Sequence, residues 1–220
     1  MKIKHIHKWD VAPKEGIVIQ KSLMNTVIYD RPVDVNTVRL VGGVDVSVKN
    51  GMSQAAVVVM TFPELQVIET ALAKQPTSFP YVPGLLSFRE GPVLVEAFEK
   101  LQNVPDVFIF DGMGRIHPRR MGIASHMGLW LDKATIGCGK THFIGEYDLP
   151  GETKGDYSYL TDKGETLGVV LRSRDKVKPV YISAGHMIDL ESALEIVLMC
   201  TPKYRLPEPI RQAHKAAGDL

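Results

Sequence analysis

Residues 106–129, DVFIFDGMGRIHPRRMGIASHMGL, constrain the fold of this chain more than any other stretch. Val107 to Phe110 is a wholly apolar run, too short for a helix and suited to a strand covered on both faces. Asp111 follows at once, and Gly112 and Gly114 allow a sharp exit. Pro118 is expected at the first turn of a helix over residues 118–131. Met121, Ile123, Ala124, Met127, Gly128 and Leu129 supply the apolar positions that pack it back on the sheet. A carboxylate at a strand tip, with His117, Arg119 and Arg120 crowding the mouth of the turn, suits a divalent cation and a phosphate. The same Asp-Gly pair also suits an ordinary turn.

Two further segments carry isolated acids. Residues 39–48 read as a strand rich in β-branched residues, with Gly42 and Gly43 ahead of Asp45. Residues 79–99 hold a proline-bracketed Tyr81 and then an apolar helical pattern containing Glu90. Taken singly, such an aspartate belongs on a solvated strand face and such a glutamate on a solvated helix face.

Read together, these segments resemble the endonuclease V family. The resemblance lies in Gly43-Val44-Asp45-Val46-Ser47, the block PYVPGLLSFRE at 80–90, the block DGMGRIHPRRMGIASH at 111–126, TIGCGK at 135–140 and LPEPIR at 206–211. Order and separation match from about residue 9 to residue 214. A family of this kind implies an RNase H-like α/β fold, with an antiparallel three-strand meander continued by helix-linked parallel strands.

Composition is compatible with that reading. The chain has 220 residues, 45% hydrophobic and 23% charged, enough for one compact catalytic domain spanning 1–220. A net charge of +1 confines any nucleic-acid footprint to local basic clusters, such as residues 2–8 or Arg119-Arg120, though a basic terminus also suits a solvated tail. Cys138 and Cys200 lack metal-ligand spacing and read as buried free thiols of a reducing compartment. The charged first ten residues do not form a signal-peptide core, and no apolar run approaches a membrane span, so a cytoplasmic protein without membrane contact is expected. A monomer is the expected state.

The remaining pattern predicts an opening helix over 13–25, strands over 39–48, 54–61 and 65–72, and a helix over 85–101. A strand over 107–110, the helix over 118–131 and a short strand over 135–138 follow. A late hairpin over 164–173 and 177–182 precedes helices over 188–200 and 207–217.

In an RNase H-like sheet the first and fourth strands are neighbours, which would unite Asp45 and Asp111. Two carboxylates, water and phosphate oxygen suffice for Mg²⁺, with Mn²⁺ able to substitute and Glu90 binding directly or through water. The resemblance implies that Asp45, Glu90 and Asp111 are the metal-binding acids. It makes Lys140 a phosphate- and nucleophile-positioning residue and puts His214 near the metal. His117 is expected to contact a phosphate or to cap the helix, Arg119 belongs with the substrate-binding set, and His126 is expected to be a hydrogen-bonded core histidine or one that supports a site residue from behind.

The implied substrate is DNA, or RNA, containing inosine, cut at the second phosphodiester bond 3′ to the lesion to leave 3′-hydroxyl and 5′-phosphate ends. Pro80, Tyr81, Val82 and Pro83 suit a stiff wedge that fills the space of an extruded base. Gly84, Gly112 and Ile123 match the family's pocket-forming positions. Met113 departs from the polar residue common there, which leaves recognition to the backbone. The alternatives are another RNase H-like nuclease or resolvase without a hypoxanthine pocket, and a non-catalytic nucleic-acid or protein-binding relative. The Tyr81 and Gly112 loops argue against the first, and the set Asp45, Glu90, Asp111 and Lys140 against the second.

Overall fold

The computed structural model describes residues 1–219. An opening helix α1 (Pro13–Leu23) leads into a meander of β1 (Leu40–Lys49), β2 (Met52–Thr61) and β3 (Val67–Pro76). Then follow α2 (Leu86–Glu99), β4 (Val107–Phe110), α3 (Ile123–Leu131) and β5 (Ala134–Gly139). The chain closes with β6 (Tyr157–Asp162), β7 (Glu165–Leu171), β8 (Val180–His186), α4 (Leu190–Met199) and α5 (Glu208–Gly218). All eight strands lie in one sheet of order β3-β2-β1-β4-β5-β8-β7-β6. β1, β4 and β5 run parallel, and every other neighbouring pair is antiparallel. This is the RNase H-like arrangement.

Two apolar layers sandwich the sheet, and β4 divides its side chains between them. Val107 and Ile109 join the layer of α4 and α5, with Val41, Ile136, Ile182, Ile196 and Ile210. Phe108 and Phe110 join the layer of α2 and α3, with Val57, Leu94, Met127 and Trp130. All four are at most 1% exposed, so even this short strand is held from both sides. Complete burial of each such side chain contributes about 1.5–3 kcal/mol.

Strand alternation then aims the acids. Val41, Gly43 and Asp45 share one face of β1, and Asp111 continues the parity of Val107 and Ile109, so both acids start from the α5 face. Parallel register pairs Val44 with Phe110, and Asp111 N–H donates to Val44 O at 3.0 Å, which brings the two acids to the same level. Gly43 admits α5 to that face: a Cβ there would lie 2.0 Å from Pro209 O. From Pro209 to His214 the helix rises about 7.5 Å, and from Gly43 to Asp45 the strand rises about 6.6 Å. Matched rises set His214 beside Asp45.

Several boundaries differ from expectation. The helix expected over 118–131 starts at Ile123. Pro118 instead sits in a tight turn, because His117 O accepts from Arg120 N and Arg120 takes the left-handed conformation, φ 56°. The third strand starts at Val67, since Leu65 is also left-handed, φ 58°. The expected hairpin exists as β7 and β8, but β8 runs from Val180 to His186. A further hairpin partner, β6, was not expected: only Leu160 of its six residues is buried, so its apolar signal is weak. Both cysteines are buried and free, as expected. His126 is in the core, with Nε2 2.7 Å from His7 Nε2, but it is not the fully hydrogen-bonded histidine expected, since its buried Nδ1 has no partner among the described residues.

Candidate active site

The middle of β1, the ends of β4 and β5, and two helices converge at the site. Asp45, Asp111 and His214 each place one ligand atom within 4.8 Å of the others, the one such group of His, Cys, Asp or Glu among the described residues. His214 Nδ1–H donates to Asp45 Oδ2 at 2.7 Å. Lys140, just past β5, forms an ion pair with Asp111 through Nζ and Oδ2.

The electrostatics are those of anions awaiting a counter-charge. Burial, and then repulsion from Asp111, raises the Asp45 pKa to about 6, against the opposing pull of His214 and Lys140. Glu90, half-buried on α2, is raised to about 8 by burial first and then by the charges of Asp45 and Asp111. Glu90 therefore belongs to the same electrostatic cluster, although its oxygens fall outside the group of three ligand atoms. Two hard oxygens, one imidazole nitrogen and a nearby third acid make a donor set suited to a small divalent cation that retains water.

Beside this cluster opens a cleft of about 400 Å³, lined by Tyr81, Gly84, Gly112, Met113, Ile123 and Phe143, and also by Asp111 and Lys140. The acid cluster and the apolar cleft thus share a wall. Tyr81 stands at the rim, 72% exposed. Its loop is nonetheless anchored: Arg89 donates to Phe79 O at 2.8 Å, Leu85 N to Val82 O at 2.9 Å, and Val82 packs on the cluster of Phe79, Leu85 and Phe88. Pro80 and Pro83 flank the ring on exposed backbone.

His117 and Arg119 both have structural engagements. His117 Nδ1 accepts from Arg119 N at 3.1 Å, so the neutral ring carries its proton on Nε2 and donates to Gly84 O at 3.0 Å. Burial, then Arg119, lowers its pKa to about 4, which keeps it neutral and unsuited to phosphate as a cation. Arg119 donates to Gly84 O at 2.7 Å and to Gln20 Oε1 at 2.6 Å. Gly84 tolerates this crowding and its own φ of +79°: an added Cβ would lie 2.7 Å from the Arg119 guanidinium.

Sequence reasoning missed Met121 and Phe143 as cleft walls. Phe143 is 39% exposed and its ring centroid lies 5.8 Å from that of His117. Its position three residues beyond Lys140, in a loop with no apolar period, was the one available signal. Met113, the residue that departs from the polar pattern, lies against Gly139, where a Cβ would come within 2.3 Å of its methyl carbon.

A family model described as Endonuclease V matches residues 21–215. The chain is 51% identical over 220 residues to an Endonuclease V of Nostoc punctiforme, covering 99% of each. Among solved structures, it is similar to an Endonuclease V of Bacillus subtilis, with TM-score 0.94, 32% identity and coverage of 100% of this chain and 96% of the other. It is also similar to Ciona intestinalis Endonuclease V in complex with a 24mer DNA containing an inosine followed by a ribo-adenosine. That likeness has TM-score 0.79 and 31% identity, and covers 94% of this chain and 96% of the other.

Proposed function

The chain belongs to the endonuclease V family, and on that premise we propose that it is a metal-dependent endonuclease for repair of deaminated adenine in DNA. It hydrolyses the second phosphodiester bond 3′ to deoxyinosine and leaves 3′-hydroxyl and 5′-phosphate ends. The observation that carries this reading is the shared wall: Asp111 and Lys140 face both the acid cluster and the apolar cleft beneath Tyr81. A nuclease without a base pocket has no use for that cleft.

Asp45 and Asp111 would hold Mg²⁺, with His214 as a further ligand and Glu90 acting directly or through water. When bound, Mg²⁺ or Mn²⁺ supplies Lewis-acid polarisation of the phosphate and neutralises charge on the leaving oxygen. Lys140 contributes a donor beside Asp111 for the attacking water or a phosphate oxygen. Tyr81 fills the stacking gap while the extruded base lies in the cleft among Gly84, Gly112 and Ile123. Hypoxanthine lacks the 2-amino group of guanine, so a close wall excludes guanine by sterics. Arg119 and His117 support this chemistry indirectly, by holding Gly84.

The whole of 1–220 acts as a single catalytic domain, as a cytoplasmic monomer. No helix among the described residues is long and apolar enough to cross a membrane. Inosine in RNA is the second candidate substrate, favoured by the ribo-adenosine beside inosine in the Ciona intestinalis complex. The test is a labelled duplex with one deoxyinosine, incubated with Mg²⁺ and mapped at nucleotide resolution beside its undamaged, RNA and chimeric counterparts. Cleavage that ignores inosine would return the chain to the class of RNase H-like nucleases without a base pocket. Full cleavage in a chelator would remove the metal from the mechanism.

A further inference from the structure

Gln20 is fully buried in α1, and no step of the proposed chemistry uses it. A buried primary amide costs free energy unless its N–H groups and its oxygen find partners. Here every group does. Nε2 donates to Gly84 O at 3.1 Å and to Met121 O at 3.3 Å, and Oε1 accepts from Arg119 Nε at 2.6 Å.

These partners lie on two different loops. Gly84 ends the loop that presents Tyr81, whereas Arg119 and Met121 belong to the loop between β4 and α3 that walls the cleft. Among the described residues, no backbone-to-backbone hydrogen bond joins residues 80–84 to residues 112–122. Side chains make the connection instead, and they converge on one atom: Gly84 O accepts from Gln20, His117 and Arg119. Of the three, Gln20 alone comes from outside both loops, and it alone also holds the Met121 carbonyl.

We infer that Gln20 is a positioning residue for lesion recognition, which sets the separation between the Tyr81 loop and the cleft-forming loop. The inference rests on the function proposed above. Wedge and cleft act on one nucleotide: the ring must fill the gap while the base occupies the cleft, so an error in their spacing weakens the two contacts together. Misplacement of about 1 Å is enough to cost on the order of a hundredfold at a preorganised site. Undamaged DNA uses neither contact and is insensitive to that spacing.

The test compares Gln20→Met, similar in length but without the hydrogen bonds, with Gln20→Glu, which keeps an acceptor for Arg119 and loses both donated bonds. Lys21→Ala, an exposed change on the same helix, is the control. Affinity is measured for a deoxyinosine duplex and for its undamaged counterpart, with amide exchange read along the chain. In Gln20→Met, affinity for the inosine duplex is expected to fall about tenfold, with undamaged affinity held within about twofold. Exchange quickens at residues 84–85 and 119–122 and stays unchanged in β1 and β2. Gln20→Glu falls between Gln20→Met and wild type. Parallel loss of affinity for both duplexes, unchanged selectivity, or faster exchange throughout the sheet would overturn the inference in favour of a merely structural glutamine. If Gln20→Met fails to fold, Gln20→Glu carries the same measurements. If wild type itself ignores inosine, the proposed function falls, and the exchange pattern still decides whether Gln20 couples the two loops.

Discussion

The acid cluster and the apolar cleft share Asp111 and Lys140, yet they are built by opposite means. Asp45 lies within β1 and Asp111 just past the end of the neighbouring parallel strand β4, where ladder register and alternation fix their height and direction. The cleft walls are largely irregular loops, tied by Gln20, His117, Arg119 and Arg89 to single carbonyl groups. A strand end with many backbone bonds tolerates a changed side chain without moving. A loop held by a few side chains does not. On the proposed function, chemistry sits on the rigid part of this molecule and selectivity on the adjustable part, so substitutions in the two regions should fail in different ways.

The largest effect is expected from Asp111→Asn or Asp45→Asn. Each change preserves shape while removing a hard anionic ligand, and loss of several kcal/mol of charge stabilisation lowers single-turnover cleavage by roughly a thousandfold or more. Circular dichroism should stay native. Near-normal turnover in Mg²⁺ by either variant would break the assignment of these two acids to chemistry.

Lys140→Ala is next, with a fall of about a hundredfold in the cleavage step, the size typical of losing one preorganised donor. Affinity for the inosine duplex should change little by comparison. A loss of binding with an unchanged rate at saturating enzyme would move Lys140 to the recognition side.

Tyr81→Ala should show the reverse pattern. Base–aromatic stacking is worth about 1–3 kcal/mol, hence a five- to hundredfold loss of affinity for an inosine duplex, with a smaller fall in the chemical step. Single-stranded substrate should be less affected, since less stacking must be replaced. Were the rate alone to collapse, Tyr81 would belong with the acids.

The smallest effect is a dependence on pH without substrate. Glu90 is raised from its ordinary 4.5 to about 8, by burial first and by Asp45 and Asp111 next. A carboxyl raised in this way is stabilising below its unfolded value, and that contribution is lost as pH rises through the folded one. The metal-free protein should therefore lose stability between about pH 4.5 and pH 8 through this group, and bound Mg²⁺ should restore it by supplying the missing counter-charge. Thermal melting with and without Mg²⁺ should differ more at pH 8 than at pH 6. Glu90→Gln should reduce that difference, and an Mg²⁺ shift that ignores pH would detach Glu90 from the site.

Much of this molecule was readable from local pattern. Four apolar residues followed by Asp111 and glycines marked a buried strand with an acid at its tip, and the family motifs supplied the partner strand of Asp45 and the late His214. The helix boundary at Ile123 was hidden because it depends on Arg120 accepting a left-handed backbone, which no periodicity announces. β6 was hidden because an edge strand buries little and so shows little alternation.

Sequence alone determined most of the elements and, through the family motifs, the candidate acids, because the spacing of side chains along a strand or helix is a property of neighbouring residues. Tertiary structure decided which donors are free. Arg119 and His117 look available for phosphate in the chain, but folding turns them onto Gly84, while Gln20, an unremarked helix residue, closes the link. Those bonds join groups 33 to 101 residues apart, and their directions are set by how α1 and the two loops pack. Distance along the chain carries no record of that packing.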